Sequence, residues 1–183
     1  MTATDLSPEL PPSARSGPGL VNWNGNVYLW GGSVDDTSLY MMNFTENSWK
    51  VIETIGSPPS PRQLYPYFLF EECFYVFPGA SYVPTQIGNG CFRISLISLI
   101  WELLNCDLAR IVYAYGVVED YILLLGGTME NGRTNELLIG EISENIVFST
   151  VTSHWNYPLP RLGHSLHKSR ELLWLFGGYS QGL

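Results

Sequence analysis

Four short runs in this chain are apolar at every position rather than at alternate ones: Val27-Tyr28-Leu29-Trp30, Phe74-Tyr75-Val76-Phe77, Ile122-Leu123-Leu124-Leu125 and Leu173-Trp174-Leu175-Phe176. A strand apolar on both faces must be covered on both, as a strand between two stacked sheets is. Each run leads into a Gly pair, or into Pro78-Gly79 in the second case, where the backbone turns with positive φ or approaches a neighbour closely. Downstream of the first pair, Leu39–Phe44 and then Asn47-Ser48-Trp49 read as a third strand, a polar turn and a fourth strand opening on Trp. Phe92–Ser95 with Trp101, and Leu137–Ile142 with Phe148, echo this. Four short strands per unit are expected, the first two joined at Asn24-Gly25 by a type I′ turn.

One register fits four places. Arg15 stands 17 residues before Gly32, and the same 17 separate Arg62 from Gly79, Arg110 from Gly127 and Arg161 from Gly178. Successive arginines lie 47, 48 and 51 residues apart, close to the period of about 50 known for one class of propeller repeat. Eighteen Gly and twelve Pro in 183 residues exclude a helical bundle.

The chain resembles the kelch family from Pro12 to Gly178. The carriers are PPSAR, YLWGG and NSW in the first repeat, PSPR and YVFPG in the second, LLLGG in the third, PRLGHS and WLFGG in the fourth. Pro78, Phe148 and Ala109 depart from the family pattern. The resemblance implies an all-β, kelch-type β-propeller segment of about three and a half four-stranded blades, an incomplete ring. Residues 1–14 form a leading segment able to supply one outer strand, and blades follow at 15–61, 62–109, 110–160 and, in part, 161–183. Gly31, Gly32, Gly79, Gly126, Gly127, Gly177 and Gly178, with Trp49 and Trp101, are the structural repeat positions. The open end blades are expected to self-associate, as a piece of a longer propeller or as half-rings that dimerise.

In an up-and-down blade the loop between the second and third strands, and the link to the next blade, share one face. This face receives Arg15, Arg62, Arg110 and Arg161 with the loops 33–37, 80–89 and 128–135. The opposite face receives Glu46, Glu71, Glu72, Glu119, Asp120 and Glu144 and is expected to be acidic. The kelch resemblance places residues around the repeat Arg near the channel mouth where ligands bind. The expected function is a noncatalytic protein-interaction scaffold binding a partner on the arginine face, with Tyr82, Trp155 and Tyr157 as further contacts. Alternatively, each Arg braces its blade through backbone carbonyls.

Charge narrows the partners. Seventeen acidic against nine basic residues, net −8, lack the footprint of nucleic-acid binding, and no apolar stretch nears the roughly 20 residues of a membrane span. Met1–Gly17 is polar and Pro-rich without a signal-peptide pattern, so a cytoplasmic location is expected. Cys73, Cys91 and Cys106, odd in number, are expected as reduced thiols. His164 and His167 lie three apart on a predicted strand, hence on opposite faces, so no metal or other cofactor is expected there. Some kelch propellers are metal-dependent oxidases or sugar-modifying enzymes, and others serve inside larger assemblies. These are the alternatives, although no nucleophile or phosphate-cradling motif appears.

Overall fold

A computed structural model describes residues 11–81, 87–88, 90–108, 110–129, 132–152, 158–170 and 172–180. Among them every regular element is a strand. The first sheet runs β1 (Gly19–Trp23), β2 (Asn26–Trp30), β3 (Leu39–Asn43), β4 (Ser48–Ile52), each antiparallel to the next. After β5 (Arg62–Gln63), the second is built from β6 (Tyr67–Phe70), β7 (Cys73–Val76), β10 (Cys91–Ser95) and β11 (Trp101–Cys106); beside it β8 (Gly79–Ser81) pairs with β5 on one side and with β9 (Ile87–Gly88) on the other. The third holds β12 (Ala114–Val118), β13 (Tyr121–Leu125), β16 (Leu137–Glu141) and β18 (Phe148–Thr150). The hairpin β14 (Thr128–Met129) and β15 (Gly132–Arg133) occupies its loop, and β17 (Asn145–Ile146) crosses to pair in parallel with β11 of the second. A hairpin of β19 (Leu162–Ser169) and β20 (Leu172–Tyr179) is the fourth sheet.

The tight turns follow local chemistry. Asn24 and Gly25 both have positive φ, 49° and 76°, the type I′ geometry expected of that pair.

Stacking of sheets makes the core. Phe74, Val76, Ile94 and Trp101 of the second sheet pack on Val21, Tyr28, Trp30 and Leu39 of the first. Phe77, Cys91 and Leu104 pack on Ile122, Leu124 and Ile146 on the other side. The second sheet is thus covered on both faces, and its all-apolar β7 is the buried strand its sequence implies. A side chain enclosed as fully as Phe74 contributes about 1.5–3 kcal/mol.

The fourth all-apolar run behaves otherwise. Leu172, Leu173, Trp174 and Phe176 are exposed, Phe176 at 80 %, because among the described residues no sheet packs on their outer side. The outer-strand links also depart from the simple two-face scheme. Ile55, leaving β4, pairs in parallel with Ile100 at the start of β11, and β17 does the same for the exit of β11. The accumulated twist of a blade brings its outermost strand beside the next blade's outer turn.

One expectation is overturned. Cys91 and Cys106 are joined by a disulfide and only Cys73 is free. Antiparallel pairing of β10 and β11 sets Cys91 opposite Leu104, two residues from Cys106, and brings the Cα atoms to 6.0 Å. An odd total and a spacing of 15 carry no hint of that proximity.

Candidate protein-interaction face

The repeat arginines sit where each blade's first strand begins, with the Gly pair ending the second strand beside them. In each blade Nη1 donates to the carbonyl at the end of that second strand: Arg15 to Gly31, Arg62 to Phe77, Arg110 to Gly126 and Arg161 to Gly177, at 3.0–3.2 Å. In three blades the guanidinium also holds the residues just before the third strand. Arg15 pairs with Asp36 at 2.9 Å, Arg62 donates to the Gly90 carbonyl at 3.0 Å, and Arg110 pairs with the Glu136 carboxylate at 2.9 Å. Each of these loops is therefore clamped at both ends by one guanidinium. Arg62 is fully enclosed, its guanidinium over the Phe92 ring, and Arg110 is buried, whereas Arg161 is partly exposed.

The electrostatics follow from that enclosure. Burial lowers Arg62 to about 10, still a cation at neutral pH, and lowers Arg110 while Glu136 opposes the shift. Burial acts to raise Asp36, but hydrogen bonds from Ser38, Arg15 and Tyr40 outweigh it and hold its carboxyl at about 2.

A second register runs beside the arginines. Three residues after each of the last three stand Tyr65, Tyr113 and His164, and each donates to the preceding blade: Tyr65 to Trp30, Tyr113 to Pro78 and His164 Nε2 to the Leu125 carbonyl. Tyr65 Oη also accepts from the Gly19 amide at 2.7 Å. Burial lowers the His164 pKa, in keeping with a neutral ring. A Cβ on Gly31 would lie 2.9 Å from Tyr65 Oη, and one on Gly126 would lie 2.8 Å from His164 Cε1. In the first and third blades the first Gly of the pair is thus what admits the next blade's bolt, whereas Tyr113 meets Pro78 at the corresponding place. These bolts were missed in the sequence, although a polar-tipped ring at one repeat position was the available signal.

The aromatic that opens each outer strand packs back in the same way. Trp101 meets Trp30 edge-on at 5.7 Å, and Phe148 meets Phe77 at 6.4 Å. Trp49, with no earlier blade among the described residues, is half-buried. His164 is buried and His167 exposed on β19, as their spacing implies.

Around the clamps lie the loop residues 33–38, 128–129 and 132–136, with Asp35, Thr37 and Glu136 exposed. Glu46, Glu71, Glu119, Asp120 and Glu144 are exposed in the turns at the other ends of the strands. The inner strands β6, β12 and β19 enclose an open groove of about 530 Å³, with Tyr67, Tyr115, His167 and Lys168 on its wall. Tyr82, Trp155 and Tyr157 lie outside the described residues. Among the described residues no three His, Cys, Asp or Glu side chains come together as a metal site.

The family model described as the KLHDC2/KLHL20/DRC7 Kelch-repeats domain matches residues 2–178. The chain belongs to the kelch-repeat family. Its curated kelch relatives include Kelch domain-containing protein 3 of Bos taurus, 23 % identical over 94 % of this chain and 49 % of that protein. Tip elongation aberrant protein 1 of Schizosaccharomyces pombe is 27 % identical over 83 % of this chain but 14 % of its own length. This chain therefore spans half or less of these two relatives. The solved structure titled "Structure of YjhT" superposes with a TM-score of 0.74 over 90 % of this chain and 59 % of that one; at 15 % identity it shows the fold alone. No helix among the described residues is long and apolar enough to cross a membrane.

Proposed function

We propose that this kelch segment is a noncatalytic scaffold that binds a protein partner through the loops of its arginine face. The observation that carries the reading is the double-ended clamp: Arg15, Arg62 and Arg110 each hold both ends of the loop between the second and third strands. Loops held on a rigid frame are where binding residues concentrate. The opposite turns are as short as the two residues Asn24-Gly25, with little reach to embrace a partner. In this reading the arginines set the shape of the loops, and exposed side chains such as Asp35 and Thr37 meet the partner.

The test uses a partner recovered by affinity purification and then titrated against variants. Replacing 128–135 by a Gly/Ser sequence of equal length is expected to weaken binding at least about tenfold, as losing a hot-spot region does. Glu119→Lys with Asp120→Lys, on the opposite turns, is expected to leave it unchanged. The reverse pattern overturns the reading. The proposal includes a cytoplasmic location, which the disulfide makes testable. A Cys91–Cys106 bond is at home in an oxidising compartment, so fractionation of cells expressing the chain decides: recovery with cytosolic markers is expected, and recovery with secretory compartments would place the chain elsewhere.

A further inference from the structure

The Cys91–Cys106 bond belongs to one blade and not to the repeat. Cys91 opens the third strand of the second blade, where the first blade has Leu39 and the third has Leu137. Cys106 stands two residues past the cross-strand partner of Cys91, where the first blade has Thr54. The neighbouring blades build the same strands without the bond. It lies on the seam between the second and third blades. Cys91 is fully enclosed in the cluster that holds Ile142 and Ile146 of the third blade, and Cys106 packs against that cluster. Cys106 is also the residue that pairs in parallel with Ile146, and the Asn105 amide beside it donates to the Glu144 carbonyl at 3.4 Å. Tying Cys106 to Cys91 therefore fixes the end of β11 on which β17 docks.

The two sulfurs differ in access. Cys91 is enclosed, whereas Cys106 is partly exposed. Cys73 lies opposite Ser95 at the far end of β10, on the order of 13 Å along the strand from Cys91, so it does not compete for either. An accessible cysteine beside a second that can resolve it is the arrangement of a reversible thiol sensor. Disulfides that do form in the cytosol are of that transient kind. We infer that Cys91 and Cys106 are a reversible oxidation site, Cys106 reacting first and Cys91 resolving, whose bonded state locks β17 of the third blade onto the second. This sensor role goes beyond the loop reading and rests on the cytoplasmic location proposed with it. The oxidant is hydrogen peroxide. The Cys106 thiolate attacks one peroxide oxygen, the O–O bond breaks, a sulfenic acid forms, and the departing hydroxide takes a proton to become water. The Cys91 thiolate then attacks the Cys106 sulfur and displaces hydroxide, which leaves as a second water. The reductant is glutathione, whose thiolate attacks the Cys106 sulfur and expels Cys91 as a thiolate. A second glutathione thiolate attacks the glutathione sulfur of that mixed disulfide, releasing Cys106 and glutathione disulfide.

The test treats the whole purified chain with hydrogen peroxide and then with excess reduced glutathione, reading thiols by alkylation and mass spectrometry and the seam by hydrogen exchange. Peroxide is expected to form the Cys91–Cys106 bond while Cys73 stays open to alkylation, and glutathione to open the bond without unfolding the chain. Exchange in 105–106 and 145–146 should be at least about tenfold faster in the reduced chain, a part of what closing a loop of 15 residues supplies. Cys91→Ser with Cys106→Ser should show the fast rates under both conditions. If that variant fails to fold, the two states of the parent decide alone. A bond that persists in excess glutathione is a fixed brace and overturns the inference, as do both thiols remaining free after peroxide, a bond to Cys73 instead, or equal exchange in the two states. The assay uses neither a partner nor a cell, so its failure leaves the loop reading and the location standing. Recovery of the chain from secretory compartments would overturn the sensor role and leave the measured exchange intact.

Discussion

The Arg62 guanidinium has no access to water and satisfies carbonyls of Ser60, Phe77 and Gly90. Truncating it leaves those acceptors buried and unpaired, so Arg62→Ala is expected to cost roughly 1 to 3 kcal/mol in urea unfolding. Arg161→Ala, at a partly exposed site, should cost less than about 1 kcal/mol; equal costs would contradict the clamp. Two residues after each Arg the backbone is left-handed, at Gly17, Leu64, Val112 and Gly163. A β-branched residue is strained at the φ of 55° that Val112 adopts. Val112→Gly removes a penalty of about 1–2 kcal/mol against about 0.5–1 kcal/mol of glycine entropy. A small gain in stability, or none, is therefore expected, where a large loss would contradict the assigned strain. Asp36 tests the ion pair. Its carboxyl titrates at about 2 in the fold against 3.8 ordinarily, so its contribution is present above the ordinary value and lost as pH falls through 2. Acid titration of unfolding should show that loss in the parent and its absence in Asp36→Asn.

At the scale of elements, blades are joined by three repeated devices: the bolt, the outer aromatic and the crossing outer strand. The Cys91–Cys106 disulfide adds a fourth tie within the second blade. Closing a loop of 15 residues, it is expected to contribute about 3 kcal/mol, read as the drop in unfolding free energy on reduction or in Cys91→Ser with Cys106→Ser. No change would mean that the bond is not formed in solution. The strands and their register were legible because the apolar runs, the Gly pairs and the Arg spacing each mark one position of a repeating unit. The clamp partners were not. Asp36 and Glu136 stand at different distances from their third strands, so no fixed spacing flags them. The bolts were hidden because Tyr65 and Tyr113 read as ordinary apolar residues until the preceding blade's carbonyl is seen above the ring oxygen. Burial of the last apolar run failed as an expectation because it depends on a neighbouring sheet, which a strand's own sequence does not contain.

At the scale of the molecule, the exposed side of β20 is an apolar patch of the kind that drives association. Light scattering of the purified chain should give a mass above 20.6 kDa that rises with concentration, and Trp174→Ser with Phe176→Ser should suppress the rise. A constant 20.6 kDa in the parent across the micromolar range would show that the patch does not drive self-association. The central claim is that a frame of stacked blades presents its arginine-side loops to a protein partner. Hydrogen exchange of the chain with its recovered partner tests this most directly. Binding is predicted to slow exchange in 33–38 and 128–136 and to leave the turns at 24–25, 71–72 and 119–120 as they are in the free chain. Protection centred on those turns, with the arginine-side loops unchanged, would contradict it.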